Sequence, residues 1–181
     1  MSIETISQGA EFDAAMSVFG EAVDISNDAE FRKDFIVKNG WHSFVGLECM
    51  EWETAQQVSI AAAELSVEKF VAVAVQAAVS DETAPVRVLS LDPYPTDVLE
   101  VENYDYGHCS LTFDTSLKLS IFRYFSDFYV ICGVPQFIAK VGVSVDRMRR
   151  EYERDLVLNE VSPEGTEMLR SSLDRYFVDG R

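Results

Sequence analysis

Ser116 to Gly142, SLKLSIFRYFSDFYVICGVPQFIAKVG, is the stretch that decides the fold. Phe122, Tyr124, Phe125, Phe128, Tyr129 and Phe137 crowd into it among aliphatic residues, and its only charges are Lys118, Arg123, Asp127 and Lys140. Leu117–Tyr124 and Phe128–Cys132 read as two strands, and Gly133 and Pro135 punctuate the passage to a short helix, PQFIAKV. Proline suits a first helical turn, because its missing N–H would be unpaired there anyway, and Gly142 is a natural stop. No other part of the chain offers as much apolar surface, so this is the expected spine of the core.

Working outward, Val86–Leu91 alternates as a strand does and ends at Asp92-Pro93-Tyr94-Pro95, where two prolines cannot continue a ladder. Val98–Val101 and Ser110–Phe113 read as further strands, with Asp114-Thr115-Ser116 as a turn. The connections look too short for crossovers, which predicts a largely antiparallel sheet of about five strands. Further upstream, Trp41–Leu47 alternates as a strand, with Trp41, Ser43, Val45 and Leu47 on one face. Glu51–Leu65 has helical composition, with Trp52, Ala55, Ser59 and Ala62 in register. Val67–Val79 fits a strand through Val71, Val73 and Val75, but its dense alanines and a capping Ser66 favour a helix.

At the N-terminus, Phe12, Ala15, Met16, Phe19 and Val23 recur at helical spacing. Asn27-Asp28-Ala29-Glu30 has the form of a capping box ahead of a second short helix carrying Phe31 and Phe35, which Gly40 ends. Downstream, Ser144 is placed to cap a helix with Val145, Met148, Tyr152 and Leu156 as its buried stripe. Ser162-Pro163 opens a last helix with Met168, Leu169, Leu173, Tyr176 and Phe177 as its apolar set. The expectation is one α+β domain over residues 1–181, with helices at both ends of the chain around the sheet.

The chain has 181 residues, 48% hydrophobic and 25% charged, which is enough to fold around a core without disulfides or metals. The longest apolar run, Phe70–Val75, is far short of the roughly 20 residues that cross a bilayer. No basic and apolar leader opens the sequence, and Cys49, Cys109 and Cys132 form no CxxC pair. These features predict a cytoplasmic protein with reduced thiols.

Charge narrows the partners. The net charge is −16, and the acids come in blocks. Residues 1–31 hold seven acids and no base, residues 39–68 hold five and none, and residues 88–117 hold six and none. The bases gather instead at Arg147–Arg154. Such a field repels nucleic acid and anionic membranes and draws basic proteins inward.

Motifs for catalysis are missing. GxSxG, GxxxxGK[ST], GxGxxG and HExxH do not occur, and only His42 and His108 are available as imidazole ligands. His108 and Cys109 are adjacent, which on a strand sends them to opposite faces, so a thiolate–imidazole pair is not expected. Glu100 and Glu102 would share one face of a strand with Asp105 just beyond, a spacing open to a divalent cation or to acid–base work but ordinary for an exposed acidic edge. No cofactor or metal is expected.

The segment that remains is Asp92, Tyr94, Asp97, Glu100, Glu102, Tyr104, Asp105 and Tyr106, tyrosines interleaved with acids and no base among them. Tyrosines supply rigid contact area and acids supply attraction toward a basic surface. This segment, SLDPYPTDVLEVENYDYGHC, with IFRYFSDFYVICGVPQFIAKVG and the charged helix after it, resembles the small bacterial immunity proteins of polymorphic-toxin and contact-dependent-inhibition systems. The resemblance spans about residues 86–158 and implies a cytoplasmic inhibitor without catalysis of its own, which occludes a toxin that is often a basic nuclease. It assigns no site residue. Two other readings stay open: an accessory or structural protein of a phage or mobile element whose acidity only solubilises it, homo-oligomeric or not, and an enzyme without a common motif.

Overall fold

The structure is a computed structural model and describes residues 3–26, 29–47, 50–75, 86–104, 109–124, 127–141, 145–158 and 163–178. In chain order its elements are β1 (Glu4–Ile6), α1 (Ala10–Ala22), β2 (Val23–Asp24), β3 (Glu30–Phe31), α2 (Lys33–Lys38), β4 (His42–Leu47), α3 (Trp52–Glu64) and β5 (Phe70–Val75). There follow β6 (Val86–Leu91), α4 (Pro95–Tyr104), β7 (Cys109–Asp114), β8 (Leu119–Tyr124), β9 (Phe128–Gly133), α5 (Pro135–Lys140), α6 (Val145–Leu158) and α7 (Pro163–Tyr176).

The fold mixes helix with a seven-stranded sheet of order β1-β6-β5-β7-β8-β9-β4, every neighbouring pair antiparallel, and adds the small β2–β3 pair. That is more than the expected five strands. Strands β7, β8 and β9 form the meander read from Ser110–Cys132; β7 is the middle strand of the sheet, and β8 and β9 lie between it and edge strand β4. Asp114 is buried and spends its carboxylate on the β7–β8 turn, accepting from the N–H groups of Ser116 (3.0 Å), Lys118 (2.6 Å) and Leu119 (2.9 Å).

Three connections cross strands rather than turning back, and they account for the corrections. The chain leaves β1 at one edge and reaches β4 at the other by way of α1, β2–β3 and α2, which cover one face. From β4 it returns to central β5 through α3 on the opposite face. From β6 it passes over β5 to β7, and since both are antiparallel to β5 they run parallel to each other. Parallel strands need a crossover, commonly a helix. Hence Val98–Val101, expected as a strand, lies in α4: Pro95 opens it, and the Asp97 and Val98 N–H groups close its first turn on the Tyr94 carbonyl at 3.0 and 2.9 Å.

The helix expected at Val67–Val79 is also corrected, for Phe70–Val75 is a strand and residues 76–79 lie outside the described residues. Flanked by β6 and β7, β5 is buried on both faces, so its run of valine and alanine carries no polar side to reveal the pleat. Ser66 does not cap a helix; at φ 56° it is a left-handed stop behind α3. The capping box fails similarly. Asn27 and Asp28 lie outside the described residues, Glu30-Phe31 is extended as β3, and α2 begins only at Lys33 without a side-chain cap. Gly40, at φ 63°, terminates α2 as expected.

Two apolar layers result. On one face Phe31 stacks on Phe122 (ring centroids 4.9 Å apart) and Phe35 meets Trp41 edge-on at 5.5 Å, with Phe19, Tyr152 and Tyr176 around them. On the other, Ala55, Val58, Ala61 and Ala62 of α3 and Phe137 and Ile138 of α5 close over Phe44, Phe70, Leu119 and Ile131. Edge strand β4 is covered by α6 and by the chain beyond α7, where the Ser43 N–H donates to the Val178 carbonyl at 2.8 Å. Among the described residues no helix is long and apolar enough to cross a membrane.

Candidate interaction surface

Because α3 and α4 both serve as crossovers on the same sheet face, they pack side by side. Two base-free blocks that are distant in sequence, 39–68 and 88–117, thereby form one surface. The small residues Ala55, Ala61 and Ala62 let α3 approach the sheet closely. Two larger apolar residues of α3 are left outside, Trp52 at 47% exposed and Ile60 at 52%. Trp52 therefore departs from the buried register expected for it.

A groove of about 470 Å³ runs between α3 and the turn that precedes α4. Gln56, Ile60 and Ala63 form its helical wall, a spacing that stacks side chains on one face of α3, and Val67 and Glu68 continue it. Asp92, Pro93, Tyr94 and Pro95 form the other wall. Glu53 extends the same stripe of α3 by one turn. Tyr94 is 63% exposed although its backbone is fixed, with prolines on both sides and its carbonyl accepting the two helical N–H groups.

Charge on this surface is unmatched. On the opposite face four acids are paired, Glu11 with Lys69 at 2.6 Å, Glu21 with Lys38 at 2.8 Å, Asp24 with Arg32 at 3.8 Å and Glu30 with Arg175, while Asp13 and Asp34 form no ion pair among the described residues. On α6, Arg147 pairs with Glu151 at 2.8 Å, and Arg149 with Glu153 at 3.2 Å and with Asp174 of α7 at 3.6 Å. Glu51, Glu53, Glu68, Asp92 and Glu100 form no ion pair among the described residues, and on this side only Glu64 does, with Lys140.

The expected interface residues are placed unevenly. Asp92 and Tyr94 lie in the groove wall and Glu100 is half-buried on α4. Asp97 is withdrawn from the surface, being 1% exposed; its Oδ1 accepts from the Thr96 hydroxyl at 3.2 Å and its Oδ2 has no hydrogen-bond partner among the described residues. Glu102 and Tyr104 belong to the last turn of α4, while Asp105 and Tyr106 lie outside the described residues. Glu100 and Glu102 belong to α4, so the pleat expected to carry both carboxylates on one face is not there. The reading of paired carboxylates is overturned with the strand that carried it.

Neither thiol of the sheet is poised for chemistry. Burial pushes Cys109 and Cys132 far above the usual thiol range, and Cys109 rests against the Ala29 carbonyl at 3.7 Å. His108 and Cys49 lie outside the described residues, and His42 is half-buried on β4. No group of three or more His, Cys, Asp or Glu able to hold a metal occurs among the described residues. Sequence reasoning missed the α3 wall. Its signal was there, in Trp52 and Ile60 set off from the alanine stripe and in the base-free block around them. No protein-family model, curated protein or solved structure matches the chain.

Proposed function

We propose that this chain is an acidic binding protein, without catalysis of its own, whose α3–α4 face covers a basic protein. The observation that carries the proposal is the convergence of two base-free segments into a surface where five acids lack ion pairs and Ile60 and Tyr94 stand exposed between them. Exposed aromatic and aliphatic anchors ringed by unpaired charge suit a steered, tightly packed interface. Occlusion of a toxin, as an immunity-type protein performs it, is the specific form we favour: the acids take the place of the anionic substrate that the partner's cationic site would bind.

The test compares two charge variants. Glu53→Lys/Glu68→Lys/Asp92→Lys alters this face, while Asp34→Lys/Asp127→Lys/Glu167→Lys alters exposed acids elsewhere. Each reversal adds two to the net charge of −16, so both variants stand at −10. The partner recovered from the producing cells is then measured against each by association kinetics. The face variant loses about tenfold or more in on-rate and the control little, with the difference shrinking as salt shortens the screening length below about 8 Å. Equal losses in both variants would show that bulk charge, not this face, governs binding.

A further inference from the structure

We infer that the groove between α3 and the Asp92–Pro95 turn is the anchor pocket for a single arginine side chain of the basic partner. The guanidinium would stack on Tyr94 with its charge toward Glu68 and Asp92. This deepens the reading above and rests on it.

The chemistry of the groove selects the occupant. Its wall along and just beyond α3 is apolar at Ile60, Ala63 and Val67, and suits the aliphatic stem of a long side chain. Its acids are at one end. Phe70 lies opposite Leu91 in the β5–β6 ladder, so Glu68, just before β5, and Asp92, just after β6, emerge at the same open end of that pair. Among the described residues no cation pairs with either acid. Lys69 turns to Glu11, Lys140 to Glu64, and Lys118 donates to the Leu65 carbonyl at 2.7 Å.

Tyr94 favours arginine over lysine. Its backbone is held between two prolines and its ring is presented to solvent, and a planar, weakly hydrated guanidinium stacks on such a face where a compact ammonium does not. The backbone of the Asp92–Pro95 turn is already held by the Tyr94 N–H on the Asp92 carbonyl at 2.8 Å and by the first bonds of α4, so the turn need not be ordered on binding.

The test uses three synthetic peptides, acetyl-Gly-Leu-X-Leu-Gly-amide with X arginine, lysine or citrulline, titrated into the full chain and followed by methyl and aromatic NMR shifts. Citrulline keeps the shape of arginine without its charge. Saturable shifts at Ile60, Ala63, Val67 and Tyr94 are expected with arginine, about threefold weaker binding with lysine, and none with citrulline. Tyr94→Ala and Glu68→Gln/Asp92→Asn each weaken the arginine peptide fivefold or more, with circular dichroism verifying that both variants fold. Shifts confined to Trp52 or Leu99 would overturn the pocket and leave the wider face standing. Shifts absent from the whole α3–α4 face would overturn both. Equal binding of the citrulline peptide would overturn the role of charge.

Discussion

Replacing Gly133 by alanine tests whether the spine is as closely packed as its sequence suggests. Gly133 lies between Leu119 of β8 and His42 of β4. A Cβ there would stand 2.6 Å from the Lys118 carbonyl oxygen, 2.7 Å from Phe137 Cδ1 and 3.1 Å from Leu119 Cα. Two of the three are backbone atoms, and the Lys118 carbonyl is held by the Val134 N–H at 2.7 Å, so neither strand can retreat without loosening the β8–β9 pairing. Overpacking a well-filled core costs about 1–3 kcal/mol, and a backbone obstacle puts this site near the upper end, at about 3 kcal/mol. At roughly 2–4 °C per kcal/mol for a domain of this size, Tm falls by about 6–12 °C. Gly46→Ala is the comparison, since the three atoms nearest its Cβ would all belong to the side chain of Tyr129, the first being Cζ at 2.1 Å. That ring can turn aside, although into a filled core, for about 1–2 kcal/mol. Urea and thermal unfolding followed by circular dichroism give both values. A Gly133→Ala variant within about 0.5 kcal/mol of the parent, or more stable than Gly46→Ala, would refute the reasoning.

Other expectations follow from burial. Tyr152 and Tyr176 have their phenol pKa values raised from 10.0 to about 12, chiefly by burial. The folded chain thus keeps these protons where the unfolded chain has released them. Their stabilising contribution is intact below pH 10 and is lost as pH climbs toward about 12. Denaturant midpoints across that window, paired with ultraviolet titration of the phenolates, check the sign; a midpoint rising with pH would contradict it. Tyr152→Phe removes a hydroxyl that donates to the Leu169 carbonyl at 3.0 Å and meets Ser172 Oγ at 2.7 Å, for a loss of about 1–2 kcal/mol in urea unfolding. Cys109 and Cys132 resist a thiol reagent at pH 8 until denaturant is added, as peptide mapping by mass spectrometry would show.

Much of the architecture was legible because its signals are local. The aromatic stretch 116–142, the Asp114 turn, the Gly40 stop and proline at the head of α5 each act within a few residues, and each has its expected role, apart from Gly142, which lies outside the described residues. The misreadings share a cause in topology. A strand buried on both faces shows no alternation, so β5 resembled a helix. A crossover is demanded by strand order, which no short window of sequence contains, so α4 resembled a strand. The acidic surface was half visible. Asp92 and Tyr94 were found from composition, but their neighbours across the groove come from α3, about thirty residues upstream, and only the packing of two crossovers brings them together. Asp97 looked equivalent to the other acids until helix geometry turned it inward.

The most direct test of the account is site-specific photocrosslinking in the producing cells, with benzoylphenylalanine placed in turn at Ile60, Tyr94 and Glu167. The α3–α4 reading predicts one adduct at positions 60 and 94, with a protein rich in lysine and arginine. That adduct is absent at 167 and is abolished when lysates are irradiated in about 0.5 M salt, where screening is shortened to roughly 4 Å. An adduct formed equally at all three positions, or at 167 alone, would contradict it.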